Sequence, residues 1–290
     1  MNSELIRSLL FVPGNRQERF ARAAASPADA LALDLEDSVP PAERDRARVA
    51  VAEALAAWTD RLTFVRIRHP DDNMLDRDLS VLAAHANQIV LMPKVATPAE
   101  VVRVDAALFA REREMGLPAD SIGLVIVIES CAGLQALPEI LGAARRVVGA
   151  SLATAEEGDL MVDLGGQWTP DGVALHYARG KLVSDARAAR LRWIFDGPFM
   201  QLSDDAALER EARLGRTFGF TGKVAIHPRQ IEQINTVFSP TGAQIERAEA
   251  LIAAYREGLA EGRGAITFRG MMVDEANARL AEQLLTQRLR

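Results

Sequence analysis

Residues 121–129 read SIGLVIVIE, the most apolar run in the chain, and they end on one acidic residue. A short run that is apolar at nearly every position is typical of a β-strand covered on both faces, as in a parallel sheet. Seven further runs have strand character, and turn residues and a segment with helical spacing follow them. They lie at 7–12, 30–35, 62–68, 88–93, 145–153, 192–196 and 222–227.

The alternation of strands and helices predicts a parallel sheet with right-handed crossovers. Eight such units indicate the α/β class and, within it, a (β/α)8 TIM barrel. The competing architecture is an open doubly wound sheet, which is disfavoured because no G-x-G-x-x-G sequence follows the first strand. We therefore predict a TIM-barrel catalytic domain over residues 1–240.

The C-terminal part of the sequence has a different character. After the break at Pro240, the spacing predicts a C-terminal helical extension over 241–290, which begins with a helix at about 242–257. The glycines spread over 258–270 predict a flexible hinge, because glycine removes the restriction on φ. A short amphipathic helix follows. A mobile tail of this kind suggests a lid or a subunit-contact arm, and the alternative is an edge helix packed on its own barrel.

The composition is that of an ordinary globular enzyme, with 290 residues of which 49% are apolar and 26% charged. The net charge of −6 argues against a general surface for nucleic acid or anionic membranes. No apolar run reaches the ~18–20 residues of a membrane span, and the first residues lack the layout of a signal peptide. The single cysteine, Cys131, excludes an internal disulfide and a Cys-based zinc cluster. We expect a cytoplasmic protein without nucleic-acid or membrane partners.

Charged residues stand at or just past the C-terminal ends of most of the predicted strands. In a barrel these ends converge on one face, which holds the active site of TIM-barrel enzymes. The sequence therefore predicts that these side chains gather at one site. They are Asp34, Arg66, Lys94, Glu129, Asp196 and His227, with Asp159 a few residues beyond the sixth strand.

Glu129 ends the most apolar strand, where a carboxylate must be neutral, paired or coordinated to a metal. With Asp159 after the next strand it forms a hard-oxygen pair without a histidine or cysteine companion. Mg²⁺ suits such a pair because it takes one or two carboxylates and completes its shell with water and substrate oxygens. The alternatives are a salt bridge from Glu129 to Arg66 or Lys94, and competition for the ion from the glutamates at 156–157.

Arg66 and Lys94 are the candidate cations of this site. Arg66 offers paired donors suited to a carboxylate or a developing enolate oxygen, and a structural ion pair is the alternative. Lys94 is either a Schiff-base nucleophile with a depressed pKa or a supporting cation. Nearby carboxylates oppose a depressed pKa, so the sequence favours the supporting role.

The remaining candidates each have a purely structural interpretation as well. The DLEDS stretch has three acids, Asp34, Glu36 and Asp37, which either hold metal-bound waters and basic side chains or cap the following turn. His227 is typical of a satisfied structural histidine. Asp274 opens the final helix, either as its N-cap or as a catalytic group carried by a mobile arm.

Sequence elements that occur in order across residues 7–240 resemble a known family. They include RSLLFVPGNRQERF, ALALDLEDSVPPAERDRAR, FVRIRHP, LMPKV, VIVIES, GDLMVDLG, YARGKLVSDAR, FDGPF and GFTGKVAIHPRQIEQINTVFSP. The chain is thereby similar to the citrate lyase β-subunit-like branch of the HpcH/HpaI aldolase superfamily. This branch includes malyl-CoA, citramalyl-CoA and citryl-CoA lyases, and the combination of DLED with GK-x-AIHP is highly specific for it.

The resemblance implies a TIM barrel, a Mg²⁺ cofactor and a carbon–carbon lyase reaction. In this reaction a 3-hydroxyacyl-CoA thioester is cleaved reversibly into an acyl-CoA and a 2-oxo acid. By position, Glu129 and Asp159 resemble the metal ligands, and Glu129 also lies at the substrate. Arg66 resembles the catalytic cation that binds the substrate and its enolate.

The resemblance also implies roles around this centre and at the C-terminus. Lys94 is similar to a supporting catalytic residue, with Glu36 and Asp37 in the shell beside it. In the CoA lyases of this branch a C-terminal lid supplies an acid from the neighbouring subunit. The stretch VDEANARLAEQLL at 273–285 resembles that lid, which implies that Asp274 is the catalytic acid/base and that the chain forms a homo-oligomer, a trimer or a hexamer.

Three positions depart from the family pattern. The usual Arg-x-Asn after the third strand reads RIR at 66–68, the usual Thr-Ala after the ligand glutamate reads SC at 130–131, and Gly-x-Glu-Asp reads EEGD at 156–159. The acyl group and the oxo acid therefore stay open. Alternatives to the lyase are a thioester hydrolase on the same metal site, a citrate lyase β subunit acting on a carrier-bound thioester, and a non-catalytic scaffold subunit.

The phosphates of CoA leave a weaker trace in the sequence. Arg16, Arg19 and Arg22 on the first helix are candidates to bind them. Arginines at three-residue spacing are also typical of a solvated helix face.

Overall fold

The computed structural model describes residues 5–286, apart from the side chain of Asp72. Eight parallel strands close into a barrel, in which each strand pairs with the next and the last pairs with the first. The predicted (β/α)8 TIM barrel is therefore confirmed. The strands are β1 (Ser8–Pro13), β2 (Ala30–Asp34), β3 (Thr63–Arg66), β4 (Gln88–Met92), β5 (Gly123–Ile128), β6 (Val147–Leu152), β7 (Trp193–Asp196) and β8 (Gly222–Ala225).

Helices connect the strands and continue beyond the barrel. None of those in the described part of the chain is long and apolar enough to cross a membrane. The α-helices are α1 (Phe20–Ala24), α2 (Arg44–Ala57), α3 (Leu75–Leu79), α4 (Pro98–Glu114), α5 (Cys131–Gln135), α6 (Leu137–Leu141), α7 (Asp159–Leu164), α8 (His176–Ala188), α9 (Asp205–Phe218), α10 (Ile231–Phe238), α11 (Gly242–Ala260) and α12 (Glu275–Thr286). Short 3₁₀ turns lie at Gln17–Arg19, Pro41–Glu43, Pro70–Asp72, Val173–Leu175 and Pro228–Gln230.

The interior of the barrel follows from the alternation of side chains along each strand. Ala32 pairs in register with Phe64, and Phe64 pairs with Ile89 on the next strand. All three side chains belong to one buried apolar cluster. Phe64 packs edge-on against Trp193 and Phe195, with ring centroids 5.6 and 6.1 Å apart, a favourable geometry for aromatic pairs.

The same alternation decides which charged residues reach the mouth of the barrel. Asp34, Arg66 and Glu129 each stand two residues past a side chain of the interior cluster. They therefore point inward, just beyond the last apolar layer. Asp196 comes directly after the interior residue Phe195, so it faces outward.

Asp196 therefore does not join the site, and the prediction that it does is wrong. Its carboxylate is fully buried and accepts a hydrogen bond of 2.9 Å from Lys223 and one of 3.1 Å from Arg179. Lys223 also donates to Glu211 at 2.7 Å. Burial raises the pKa of Asp196, but the charges of Lys223 and Arg179 outweigh burial and lower it below its ordinary value. The lysine of GK-x-AIHP thus belongs to a buried group of four charges.

The described chain forms two compact units, of which the first ends at Asn235 and the second begins at Thr236. In the second unit, side chains of α11 and α12 form a buried apolar cluster that includes Leu251 and Tyr255. Leu280 lies outside this cluster and is 66% exposed. Leu284 and Leu285 pack against the cluster, so α12 turns inward the face that carries these two leucines with Ala278 and Ala281.

The predicted glycine-rich hinge is only partly irregular. Its second half forms a hairpin of β9 (Ile266–Phe268) and β10 (Met271–Val273), which pair antiparallel. The two turn residues, Arg269 and Gly270, have φ values of 48° and 80°. Two-residue hairpin turns with positive φ at both positions match the twist of the strands. The hairpin gives residues 266–273 regular structure, and a hinge function of this stretch stays a prediction.

Candidate active site

Arg66 is the central cation at the mouth of the barrel. It stands in register beside Asp34 on the neighbouring strand. Its Nε and Nη2 donate to the two carboxylate oxygens of Asp34, both at 2.7 Å. Nη1 lies 3.1 Å from Glu36 Oε2, and the guanidinium stands over the ring of Phe11, 5.2 Å from its centroid. A planar cation held on three sides has one orientation, as binding of a planar carboxylate or an enolate oxygen requires.

Asp34 both holds Arg66 and caps the following turn, so both sequence interpretations of this residue apply. Its carboxylate accepts hydrogen bonds from the backbone N–H groups of Glu36 and Ser38, at 3.0 and 3.2 Å, and from the Ser38 hydroxyl. Burial raises the pKa of Asp34, but the hydrogen bonds and charge of Arg66 lower it below its ordinary value. Asp34 therefore stays ionised and keeps Arg66 in place.

Lys94 enters the site through a backbone turn. Its φ is 55°, in the left-handed region, so it departs from the alternation of β4. Its Nζ lies 3.2 Å from Glu36 Oε1, 3.1 Å from Asp37 Oδ2 and 3.3 Å from Asp159 Oδ2. Burial lowers the pKa of Lys94, but Glu36 and Asp37 raise it well above its ordinary value. Lys94 is therefore a stable ammonium ion, which cannot attack a carbonyl as a neutral amine.

Glu129 is a buried carboxylate with few polar contacts. It is 8% exposed, and its Oε1 accepts a hydrogen bond of 3.1 Å from the backbone N–H of Lys94. Within residues 5–286 it accepts no other hydrogen bond and forms no salt bridge. Burial and the nearby charge of Glu36 raise the pKa of Glu129 to about 7, although Arg66 and Lys94 act in the opposite direction. Its carboxylate oxygens can therefore accept a further ligand.

Asp159 approaches the group from the neighbouring loop. It is the first residue of α7, after the extended residue Gly158, and its side chain is 56% exposed. Glu156, one of its competitors in the sequence, instead accepts a hydrogen bond from Gln201 at 3.4 Å. Lys94 thus contacts both Asp159 and Glu129: its Nζ lies beside Asp159, and its backbone N–H donates to Glu129.

The group as a whole has the composition of a site for a divalent cation. Five carboxylates face two cations, and every atom of these carboxylates that could coordinate a metal is an oxygen. Hard cations such as Mg²⁺ prefer this donor set, with few carboxylates from the protein. The residues present therefore fit a magnesium ion. The acids are Asp34, Glu36, Asp37, Glu129 and Asp159, and the cations are Arg66 and Lys94.

A second cluster of residue types that can bind a metal follows β3 and reaches the start of α4, but its side chains already have other partners. In the described part of the chain, His69, Asp71 and Glu100 have ligand atoms within 4.8 Å of one another. His69 Nδ1 already accepts from the Asp71 N–H at 3.3 Å, and Asp71 pairs with Arg103. Glu100 accepts from two backbone N–H groups at the start of α4, at 2.9 and 3.2 Å. The side chains of His69 and Glu100 therefore cap helical turns, and Asp71 forms an ion pair on the surface.

A cavity of about 350 Å³ adjoins Phe11, the residue whose ring packs against the Arg66 guanidinium. It is lined by β1 residues that include Phe11, and by Arg19, Arg22 and His227. Burial and the charges of three arginines lower the pKa of His227, so a neutral imidazole faces this cationic wall. The sequence did not single out Phe11, although an aromatic residue two positions past the interior residue Leu9 was the available signal.

Asp274 lies in the second unit, where it caps α12. Its Oδ1 accepts from the N–H groups of Ala276 and Asn277 at 2.9 and 3.3 Å, and Asn277 Oδ1 accepts from the Asp274 N–H at 3.0 Å. The side chain is exposed. This is the N-cap of the structural interpretation, and a role in proton transfer stays a prediction.

Known proteins share this architecture. The family model for HpcH/HpaI aldolase/citrate lyase matches residues 7–228. The chain belongs to this family. Citrate lyase subunit beta of Leuconostoc mesenteroides subsp. cremoris is 34% identical, over 98% of this chain and 93% of that protein. L-malyl-CoA/beta-methylmalyl-CoA lyase of Cereibacter sphaeroides is also 34% identical, over 97% of this chain and 94% of that one.

A solved structure has a similar fold over nearly the full length of this chain. Protein CitE from Mycobacterium tuberculosis, in complex with magnesium, acetoacetate and coenzyme A, is 31% identical, with a TM-score of 0.79 over 98% of both chains. The resemblance read from the sequence is therefore confirmed. So is the prediction of a lyase, because the relatives carry that name over nearly the full length.

Proposed function

We propose that this chain is a magnesium-dependent carbon–carbon lyase. Its substrate is a 3-hydroxyacyl-CoA thioester of the malyl-CoA, citramalyl-CoA or citryl-CoA type, and its products are an acyl-CoA and a 2-oxo acid. One observation carries the proposal. The Arg66 guanidinium is held rigidly by Asp34 and Glu36, and the same Glu36 contacts the ammonium that links the other acids of the site.

The relatives support this substrate class. Those at about 34% identity are named for citrate lyase and for malyl-CoA lyase chemistry. A structure of CitE from Mycobacterium tuberculosis, 27% identical, holds magnesium with pyruvate, and one of a citrate lyase beta subunit from the same organism, 30% identical, holds magnesium with oxaloacetate. Both are small 2-oxo acids, the product class proposed here.

Glu129 and Asp159 are the residues proposed to hold Mg²⁺. When bound, the ion supplies a Lewis acid for the hydroxyl, keto and carboxylate oxygens of the oxo-acid half. Lys94 holds Asp159 and contributes its backbone N–H to Glu129. Glu36 and Asp37 hold Lys94 in turn, so the supporting acids act through this one cation.

Arg66 is proposed to stabilise the charge that develops on the thioester oxygen as the carbon–carbon bond breaks. Preorganised donors aimed at a developing oxyanion contribute about 3–4 kcal/mol to such steps. Asp34 keeps the guanidinium charged and oriented, so little reorganisation is needed at the moment of reaction. We also propose that Asp274, delivered by a neighbouring subunit of a homo-oligomer, exchanges a proton with the acyl carbon or with the hydroxyl of the substrate.

The cationic cavity that adjoins Phe11 supports a thioester with a phosphorylated carrier. Arg19 and Arg22 line this cavity together with residues of β1. Phe11 contacts the guanidinium of Arg66 and also lines the cavity, so the cavity adjoins the proposed reaction centre. We propose that the two arginines bind phosphate groups of CoA.

The deciding experiment is a substrate panel of malyl-, citramalyl- and citryl-CoA with Mg²⁺, in which 2-oxo acid and free thiol are both measured. We expect release of a 2-oxo acid without free thiol from at least one thioester. Arg66→Lys keeps the charge and loses the paired donors, so its turnover should fall by about 10²–10³-fold.

Each alternative function predicts a different result in this panel. Free thiol in place of a 2-oxo acid would identify a thioester hydrolase. Activity restricted to a carrier-bound thioester would identify a citrate lyase β subunit. No Mg²⁺ binding in calorimetry, together with no turnover, would identify a scaffold subunit.

A further inference from the structure

Asp163 joins the two chain segments that carry the proposed metal ligands. Its Oδ2 accepts a hydrogen bond of 2.6 Å from the backbone N–H of Cys131. Asp163 lies four residues after Asp159 on α7, and Cys131 lies two residues after Glu129 at the start of α5. This hydrogen bond is thus a direct link between the helix that begins with Asp159 and the segment that follows Glu129.

The start of α5 is itself fixed against the segment that contains Lys94. Ser130 caps the helix, with its hydroxyl oxygen accepting from the Gly133 N–H at 3.1 Å. A side chain on Gly133 would overlap the carbonyl oxygen of Val95, the residue after Lys94. The first turn of α5 is therefore a close-packed support to which α7 is attached by Asp163.

α7 depends on such contacts because it is short. It has six residues, and Gly165, with φ 62°, caps its C-terminal end. Helices of this length are not stable by themselves, so their orientation comes from tertiary contacts. Leu160 and Met161 anchor one side of α7 in the core. Residues four apart lie on the same helix face, so a contact of Asp163 also orients the face that bears Asp159.

We propose that Asp163 is a positioning residue that sets the spacing between Asp159 and Glu129 by fixing α7 to the start of α5. The inference rests on the proposed function, in which these two carboxylates hold Mg²⁺. It assigns a role to the second aspartate of the GDLMVDLG sequence. Asp163 does not touch the ion or the substrate in this role. It acts through Asp159.

The test is the Mg²⁺ dissociation constant of the full chain, measured by calorimetry without substrate. We expect Asp163→Ala to raise the Kd about tenfold, the lower end of the effect of removing groups that orient metal ligands. Asp163→Asn keeps an oxygen that accepts the Cys131 N–H, so its Kd should stay within about twofold of the wild-type value. Rescue by the asparagine variant separates the hydrogen bond from the charge.

Asp204→Ala is the matched control. Asp204 accepts a backbone hydrogen bond of 2.9 Å from Ala207 at the start of α9, and it contacts none of the proposed ligands. We expect this variant to lose a similar amount of stability and to keep the wild-type Kd. An unchanged Kd in Asp163→Ala, or an equal rise in Asp163→Ala and Asp204→Ala, would overturn the inference. Absence of Mg²⁺ binding in the wild-type protein would instead overturn the proposed function.

Discussion

Replacing Lys223 by methionine is expected to lower the free energy of unfolding by about 3–5 kcal/mol near pH 8. This is the usual cost of removing one partner from a buried group of charges. The Nζ of Lys223 donates to Asp196 at 2.9 Å, to Glu211 at 2.7 Å and to the carbonyl oxygen of Gly197 at 2.7 Å. The side chain of Lys223 is fully buried, so water cannot replace these bonds.

The magnitude follows from what remains after the substitution. Asp196 keeps Arg179 Nε at 3.1 Å, but Glu211 keeps only Arg179 Nη2, at 3.9 Å. One guanidinium then faces two buried carboxylates. Methionine has a volume close to that of lysine and adds no polar atom, so the effect of a cavity is small. The loss of stability therefore measures the cost of a buried carboxylate whose charge is no longer balanced.

The loss of stability should depend on pH. Burial already raises the pKa of Glu211 above its ordinary value, and Lys223 opposes that rise. Without Lys223, the pKa of Glu211 in the folded state rises further above its value in the unfolded chain. Protonated Glu211 then favours folding at low pH, and this contribution is lost as the pH rises through the folded pKa. The deficit should be larger near pH 8 than near pH 5.5.

Urea unfolding followed by circular dichroism at both pH values measures these differences. Arg213→Met is the control, because its i,i+4 partner Glu209 lies on the surface and such pairs contribute about 0.3–0.5 kcal/mol. Adding Glu211→Gln to Lys223→Met should restore part of the stability. A deficit below about 1 kcal/mol near pH 8, or one that does not change with pH, would refute the reasoning.

Two further predictions concern the proposed active site. The Kd for Mg²⁺ should fall about tenfold from pH 6 to pH 8, because the pKa of Glu129 is about 7 and only the ionised carboxylate binds the ion. Calorimetry measures this, Glu129→Gln should abolish the dependence, and equal Kd values would contradict the prediction. Asp274→Asn keeps the N-cap of α12 but cannot exchange a proton, so turnover should fall at least about 10²-fold with unchanged Mg²⁺ affinity and stability. Wild-type turnover in this variant would leave Asp274 with its structural role alone.

Part of the site could be predicted from the sequence because successive side chains of a strand point to opposite faces. Asp34, Arg66 and Glu129 stand two residues past interior apolar residues, so local pattern places all three at the same end of the barrel. Lys94 could be expected there from its position after β4, but its orientation depends on a left-handed backbone turn that apolar spacing does not encode.

The pattern of charges misled at Asp196 for a related reason. Its position at the end of β7 suggested the active face, yet it follows an inward-facing residue and so faces the helices. The partners that define its role, Lys223 and Glu211, are 27 and 15 residues away in sequence and meet it only in the folded barrel. The role of Asp163 could not be predicted either, because its partner is a backbone N–H group, which every residue except proline has.

The eight-stranded barrel, the end of the barrel at which the acids and Arg66 gather, and the family all follow from residues that lie close together along the chain. These properties depend on local periodicity and on short motifs, which a chain carries before it folds. The pairing of charges instead depends on the folded chain: Arg66 pairs with Asp34, Lys94 contacts three acids, and Asp196 pairs with Lys223. Such pairs form over a few ångströms between distant segments, so they are decided by strand register and helix packing.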